Sequence, residues 1–106
     1  MTINHHGSTA VITQDKTSLI EFLMKFFVLY ERFKSEDVII HLIDTSVGSI
    51  EDFSSLVRKH TSAKRCFVIV NVDLNQEDFE NLIIIPSLQE AHDFIEMEVM
   101  QRDLGL

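Results

Sequence analysis

The sequence predicts an α/β domain in which a mixed sheet of about four or five strands is layered against three main helices. Two observations carry this expectation. Short runs of branched aliphatic residues alternate with segments of helical spacing, and each helical segment opens on a serine followed three residues later by an acid: Ser18 with Glu21, Ser49 with Asp52, and Ser87 with Glu90. Right-handed crossovers in such an order set successive strands parallel, while a hairpin at the amino end makes the sheet mixed.

The hairpin is read from Thr2 to His5 and Ser8 to Thr13 around His6-Gly7, since glycine supplies the positive φ of a tight turn. Leu19, Phe22, Phe26 and Phe33 then recur on one helical face with Leu23, Phe27 and Tyr30 beside them, which predicts a first helix from Ser18 to about Lys34. Met24, Val28 and Leu29 widen its apolar stripe beyond the usual width by joining the core face. Two explanations stand for the excess: a helix sunk deep in the core, or a helix presenting an interface. Val38, Ile39, Ile40, Leu42 and Ile43, interrupted by His41, make Asp37 to Asp44 an interior strand covered on both faces. Phe53, Leu56, Val57 and His60 predict a second helix over Ile50 to His60, behind the weaker cap of Ser49 with Asp52. Cys66 to Val70 is the next strand, and the polar stretch Asn71 to Asn81 allows a loop or one short turn. Leu82 to Ile85 is the last strand, and Pro86 removes a donor where ladder pairing ends. A final helix runs towards Arg102 with Leu88, Ala91, Ile95 and Val99 against the sheet, Gln89, Asp93 and Glu96 facing water, and Gly105 in the helix-ending αL position.

With 106 residues the chain supports one core, and a single domain over 1–106 is expected. Nine Lys and Arg against seventeen Asp and Glu give a formal charge of −8, which repels phosphate backbones and argues against nucleic acid as a partner. The lone Cys66 makes no intrachain disulfide, and no secretory start is visible, so the cytoplasm is the expected compartment. No apolar stretch reaches the roughly 20 residues that span a bilayer, so no membrane association is expected.

Catalytic signals are missing. The histidines at 5, 6, 41, 60 and 92 show no metal spacing, and His92 with Glu96 reads as an exposed, charge-assisted helix pair. Asp73 to Glu77 begins like a calcium loop, but Asp78 stands where glycine is required and Ile84 occupies the twelfth position. Cys66 has basic neighbours in Lys64 and Arg65, yet its strand position favours a buried, inert thiol. Nucleophile elbow, phosphate loop and zinc-helix motifs do not occur, so neither an enzyme nor a cofactor is expected. Arg58, Lys59, Lys64 and Arg65 form a basic cluster where a helix carboxyl end favours positive charge. The alternative for that cluster is an acceptor patch for the acidic helix carrying Glu90, Asp93, Glu96 and Glu98 in another subunit.

The tail Ile85-Pro86-Ser87-Leu88-Gln89-Glu90-Ala91-His92, continued by Ile95-Glu96-Met97-Glu98 and Arg102-Asp103-Leu104-Gly105, resembles a family of small bacterial STAS-like proteins, some of which carry the label ribonuclease Z. The resemblance covers nearly the whole chain and extends more distantly to STAS domains of anti-sigma factor antagonists. It implies a STAS-like fold and a role in protein contact. Ribonuclease Z chemistry needs an H-x-H-x-D-H metal motif and a much longer chain, so that label is discounted. STAS antagonists carry D-S-S-G-L or D-S-T-G-L with a phosphorylated residue opening the second helix, whereas this chain has Asp52-Phe53-Ser54-Ser55-Leu56, in which Phe53 and Ser55 depart from the pattern. The standard helix between the last two STAS strands is also too long for the residues available here.

The expected function is therefore a non-catalytic protein-interaction or regulatory module. Contact is expected through Ser46, Ser49, Asp52, Ser54 and Ser55, in the loop from Thr45, the start of helix two, and helix one, with Ser54 as the candidate phosphorylation site. Two other classes compete: a small enzyme or ligand-binding protein with a site assembled from His41, Asp44 and His60, and a purely structural homodimer that covers apolar surface three helices barely hide.

Overall fold

Five strands lie side by side in chain order in the computed structural model of the protein, which describes residues 1–45 and 49–105. They are β1 (Thr2–His6), β2 (Thr9–Thr13), β3 (Asp37–His41), β4 (Phe67–Val70) and β5 (Ile84–Ile85). β1 pairs antiparallel with β2 through a turn in which Gly7 sits at φ +60°, and β2 through β5 are mutually parallel. Three helices complete the α/β architecture: α1 (Leu19–Leu29), α2 (Ser54–Ser62) and α3 (Leu88–Asp103).

The register puts Ile12, Ile40, Ile69 and Ile84 in one row across the sheet, and the neighbouring row holds Val11, Ile39 and Val68 on the opposite face. Each row founds its own core. The isoleucine row, with Ala10, Val38 and Phe67, is covered by α1 and α2, which contribute Leu19, Phe22, Phe26, Leu56 and Val57. Val11, Ile39, Val68 and Val70 are covered by α3 through Ala91 and Ile95. Sequential strand order combined with one crossover hand explains why α1 and α2 share a face, while α3, which follows the last strand, covers the other.

The aromatic residues concentrate in the first core. Phe26 sits at centroid distances of 5.9 Å from Phe67 and 6.2 Å from Phe53, and Phe53 is 6.0 Å from Phe67, within the range of favourable edge and tilted contacts.

Several element boundaries differ from the sequence expectation. α1 ends at Leu29 rather than near Lys34, and a 3₁₀ turn over Tyr30–Arg32 follows. That tighter turn brings the Phe33 amide onto the Tyr30 carbonyl at 2.8 Å and stacks Phe33 on Phe26 at 6.1 Å. Met24 and Val28 do not join the core: they are 67% and 82% exposed, while Leu29 is half-buried against it. β3 stops at His41 because the amides of Ile43 and Asp44 are taken by the Gln14 side chain. The second helical segment begins as a 3₁₀ turn over Ile50–Phe53 and becomes α-helical at Ser54. Ser49 makes no side-chain cap there, since the Asp52 amide is satisfied by the Ser49 carbonyl at 3.2 Å. β4 begins at Phe67 rather than Cys66, and β5 shrinks to Ile84–Ile85 because Gln76 captures the Leu82 carbonyl and the Ile84 amide, each at 2.8 Å.

The other two serine caps form as expected. Ser18 and Ser87 each accept from the amide three residues on at 3.2 Å, and the Ser87 hydroxyl donates to Glu90 at 3.0 Å. Gly105 takes φ +76° after the last helix.

Candidate docking face beside the carboxyl edge of the sheet

Parallel strands leave their carboxyl ends, and the loops that follow them, along one edge of the sheet, where binding residues in α/β proteins concentrate. Two side-chain amides shape this edge. Gln14, fully buried just beyond β2, accepts from the amides of Ile43 and Asp44 at 2.7 and 2.8 Å and donates to the carbonyls of Asp44 and Thr17 at 2.8 and 3.0 Å. All four hydrogen-bonding positions of its amide are thereby used. Asn71, just beyond β4, donates to the Leu42 carbonyl at 3.0 Å and accepts from the Asp73 amide at 2.8 Å. Both stitch neighbouring strand ends where ladder pairing stops, and between them Ile43 and Val72 are left exposed.

Beside this edge lies α1, whose outer face carries Ile20, Met24, Phe27 and Val28, all exposed. Ile20, Leu23, Met24 and Phe27 line a shallow groove of about 540 Å³ that is closed on one side by Asp52. Structure thus brings together helix one and Asp52, two parts of the expected contact surface. Ser49 and Ser55 are exposed nearby in sequence, and Ser46 lies outside the described residues. Ser54 is half-buried at the first turn of α2, its hydroxyl donating to Glu51 at 3.2 Å. Phe53, which departs from the STAS pattern, is completely buried among Phe22, Phe26 and Phe67 and so anchors the segment that presents Asp52 and Ser54.

The competing trio does not converge. His60 Nε2 lies 2.6 Å from the Glu36 carbonyl, just before β3 begins, whereas His41 and Asp44 are at and beyond its far end, roughly 13 Å away along a five-residue strand. His60 is instead structural. A carbonyl only accepts, so Nε2 carries the proton, and Nδ1 accepts from the Tyr30 hydroxyl at 2.8 Å. Burial pushes the His60 pKa down despite the Glu36 carbonyl, and burial beside Glu31 pushes that of Tyr30 up.

At the same amino edge, Arg102 near the end of α3 grips the Asp37 carboxylate with both terminal nitrogens, at 3.0 and 3.2 Å, and donates to the Lys64 carbonyl at 2.6 Å. The Asp37 side chain is 1% exposed and also accepts from the Cys66 amide at 2.9 Å. Burial alone would raise its pKa, but the Arg102 guanidinium, the Cys66 amide and nearby Arg65 outweigh it and hold the carboxyl below the usual range.

The basic cluster divides between two places. Lys59 pairs with Glu31 at 3.3 Å over the Tyr30 ring, while Lys64 and Arg65 stand at the amino edge beside Cys66. His92 meets His6 edge-on at 5.1 Å rather than standing exposed with Glu96. Among the described residues, no group of three His, Cys, Asp or Glu is placed to hold a metal ion, and no helix is long and apolar enough to cross a membrane. No protein-family model matches the chain, and no curated protein matches it.

Proposed function

We propose that this chain is a non-catalytic, cytoplasmic STAS-like module that works by docking a protein partner on the outer face of α1 and the adjoining start of the second helical segment. The observation that carries this reading is the row of exposed apolar side chains on α1, headed by Met24 and Val28, beside Asp52. Apolar surface gathered on one helix face, rimmed by charges, is a common form of protein-binding site. Gln14, with all four amide positions used, and Asn71, with two, hold the neighbouring loops, so the face is largely preorganised and less ordering entropy opposes binding. Phosphate on Ser54 would displace its hydroxyl from Glu51 and add further negative charge beside Glu51 and Asp52, which disfavours an acidic partner.

Affinity capture with the full chain, compared with a Met24→Glu/Val28→Glu variant of unchanged circular dichroism, tests the reading. The expected result is a partner retained by the parent and lost by the variant. Recovery of nothing beyond the chain itself, or equal retention by both, would refute it.

A second copy of the chain is the alternative occupant. Glu21 and Lys25 are exposed on one flank of the apolar row, and in an antiparallel pairing of two α1 helices about Met24, Glu21 of each copy approaches Lys25 of the other. Light scattering at several salt concentrations separates the readings, because a homodimer shows a doubled mass that declines on dilution and responds to ionic strength.

A further inference from the structure

A cleft of about 380 Å³ opens at the amino edge of the sheet, between the end of α2 and the last turns of α3. Its walls are divided by chemistry. Ile83 and Phe94 make an apolar floor beside the Cys66 wall, while Lys64, Arg65 and Arg102 supply cations and Glu98 a single carboxylate. Arg102 is neutralised by Asp37, but the Arg65 guanidinium and the Lys64 ammonium make no hydrogen bond or ion pair among the described residues. Half-buried Arg65 feels the Asp37 charge at a distance, yet its guanidinium fork is left open in a concave, partly apolar site. Lys64 adds an independent sign of use: it holds φ +62° at the end of α2, a position that glycine fills without strain, and its side chain lines the cleft. Cys66 is a neutral part of the wall, since burial and the charges of Asp37 and Glu98 push its thiol up to about 12.

We propose that this cleft binds a small monocarboxylate with an apolar body, the carboxylate on Arg65 and Lys64 and the body against Ile83 and Phe94. The volume lies within the range of small-molecule sites. Cations exceed anions here by a single charge once Asp37 and Glu98 are counted, so Glu98 works against a dianion such as a phosphate monoester, and the guanidinium fork suits a carboxylate. The site lies at the opposite edge of the sheet from the α1 docking face, and the two readings stand or fall separately.

Amide-resolved NMR titration of the full chain with 3-phenylpropionate, its neutral amide and phenyl phosphate tests the proposal. Saturable shifts centred on Cys66, Phe94 and Gln101 are expected with the carboxylate, with the amide bound roughly tenfold more weakly for loss of the charge-assisted contact. Arg65→Gln should lower carboxylate affinity by a similar factor and leave amide affinity unchanged. Lys64→Gly should weaken carboxylate binding while raising the melting temperature, because glycine relieves the positive φ, so that loss of binding does not reflect loss of fold. Equal affinity for carboxylate and amide, tighter binding of the phosphate, shifts centred on α1, or no saturation overturns the assignment.

Discussion

Arg102→Met is the most informative single change, because it removes the cation from a buried carboxylate 65 residues away while keeping the apolar stem. Breaking a buried ion pair from one side costs about 3 to 5 kcal/mol, most of it the penalty on the charge left behind. Arg102 is 24% exposed, so water reaches the vacated position, and the Cys66 amide still donates to Asp37; about 3 kcal/mol, the lower end, is therefore expected. With a urea m-value of about 1.5 kcal/mol/M the denaturation midpoint falls by about 2 M at pH 7. If the orphaned charge is the cause, adding Asp37→Asn to Arg102→Met recovers about 1 to 2 kcal/mol, since the amide oxygen still accepts from Cys66 without carrying charge. The pH dependence separates the two proteins further. In the parent, the depressed Asp37 pKa contributes stability that is full above the unfolded value of about 3.9 and is lost as pH falls through the folded value. In the variant, burial is opposed only by the Cys66 amide and Arg65, so the folded pKa moves up from its depressed position and the acid-side loss of stability due to Asp37 shrinks. A loss below about 1 kcal/mol, typical of an exposed pair, or a further loss on adding Asp37→Asn, would refute the reasoning.

Three other expectations are accessible to the same denaturation assays. Ser87→Ala removes the acceptor for the Glu90 amide and should cost about 1 kcal/mol. Phe53→Ala, which empties the centre of the aromatic cluster, should cost about 3 to 5 kcal/mol and shift the near-ultraviolet spectrum. For His60, the lowered pKa means that its stabilising contribution is full above the unfolded value of about 6.5 and is lost as pH falls from there to the folded value. Melting temperatures measured across that interval should fall, and His60→Gln should flatten the component; an identical pH profile in the variant contradicts the assignment.

The architecture was legible because it is written in local periodicity. Ser18 and Ser87 mark true helix starts, the aliphatic runs mark the strands, and Gly7 marks the hairpin turn. Boundaries moved where a distant side chain claims the backbone. Gln14 ends β3 across a separation of 29 or 30 residues, and Gln76 shortens β5; a lone glutamine in a polar stretch carries no sign of either role. Ser49-x-x-Asp52 misled for a related reason, since a 3₁₀ turn satisfies by backbone the amide that a serine cap would have bonded.

The candidate surface was half legible. At 100° per residue, Met24 and Val28 point about 150° or more away from the direction shared by Leu19, Phe22, Phe26 and Tyr30, so helical geometry alone favours an outward position over the core one. What sequence could not show is that Asp52 closes the same groove, or that Lys64 and Arg65 leave the basic cluster to line a cleft with Phe94 and Arg102. Those juxtapositions depend on tertiary packing, and no spacing motif encodes them.

Unequal cover of the two sheet faces links these features. Two crossover helices and an aromatic cluster protect the face of Ile12, Ile40 and Ile69, whereas α3 alone protects Val11, Ile39 and Val68, burying only Ala91 and Ile95 completely. Half-buried Leu88, Phe94 and Val99 add to this contact, but with only two of its 16 residues buried the helix also depends on its ends for position. Ser87 caps the start, and near the other end Arg102 reaches both Asp37 at the head of β3 and the carbonyl of Lys64 beyond α2. Beneath this polar tether the cleft lies open where helix and sheet do not meet side chain to side chain. On the opposite face the aromatic core is saturated, and the surplus apolar residues of α1 are left outside. One sheet with lopsided cover thus yields both an open cleft at its amino edge and an unpartnered helix face beside its carboxyl edge.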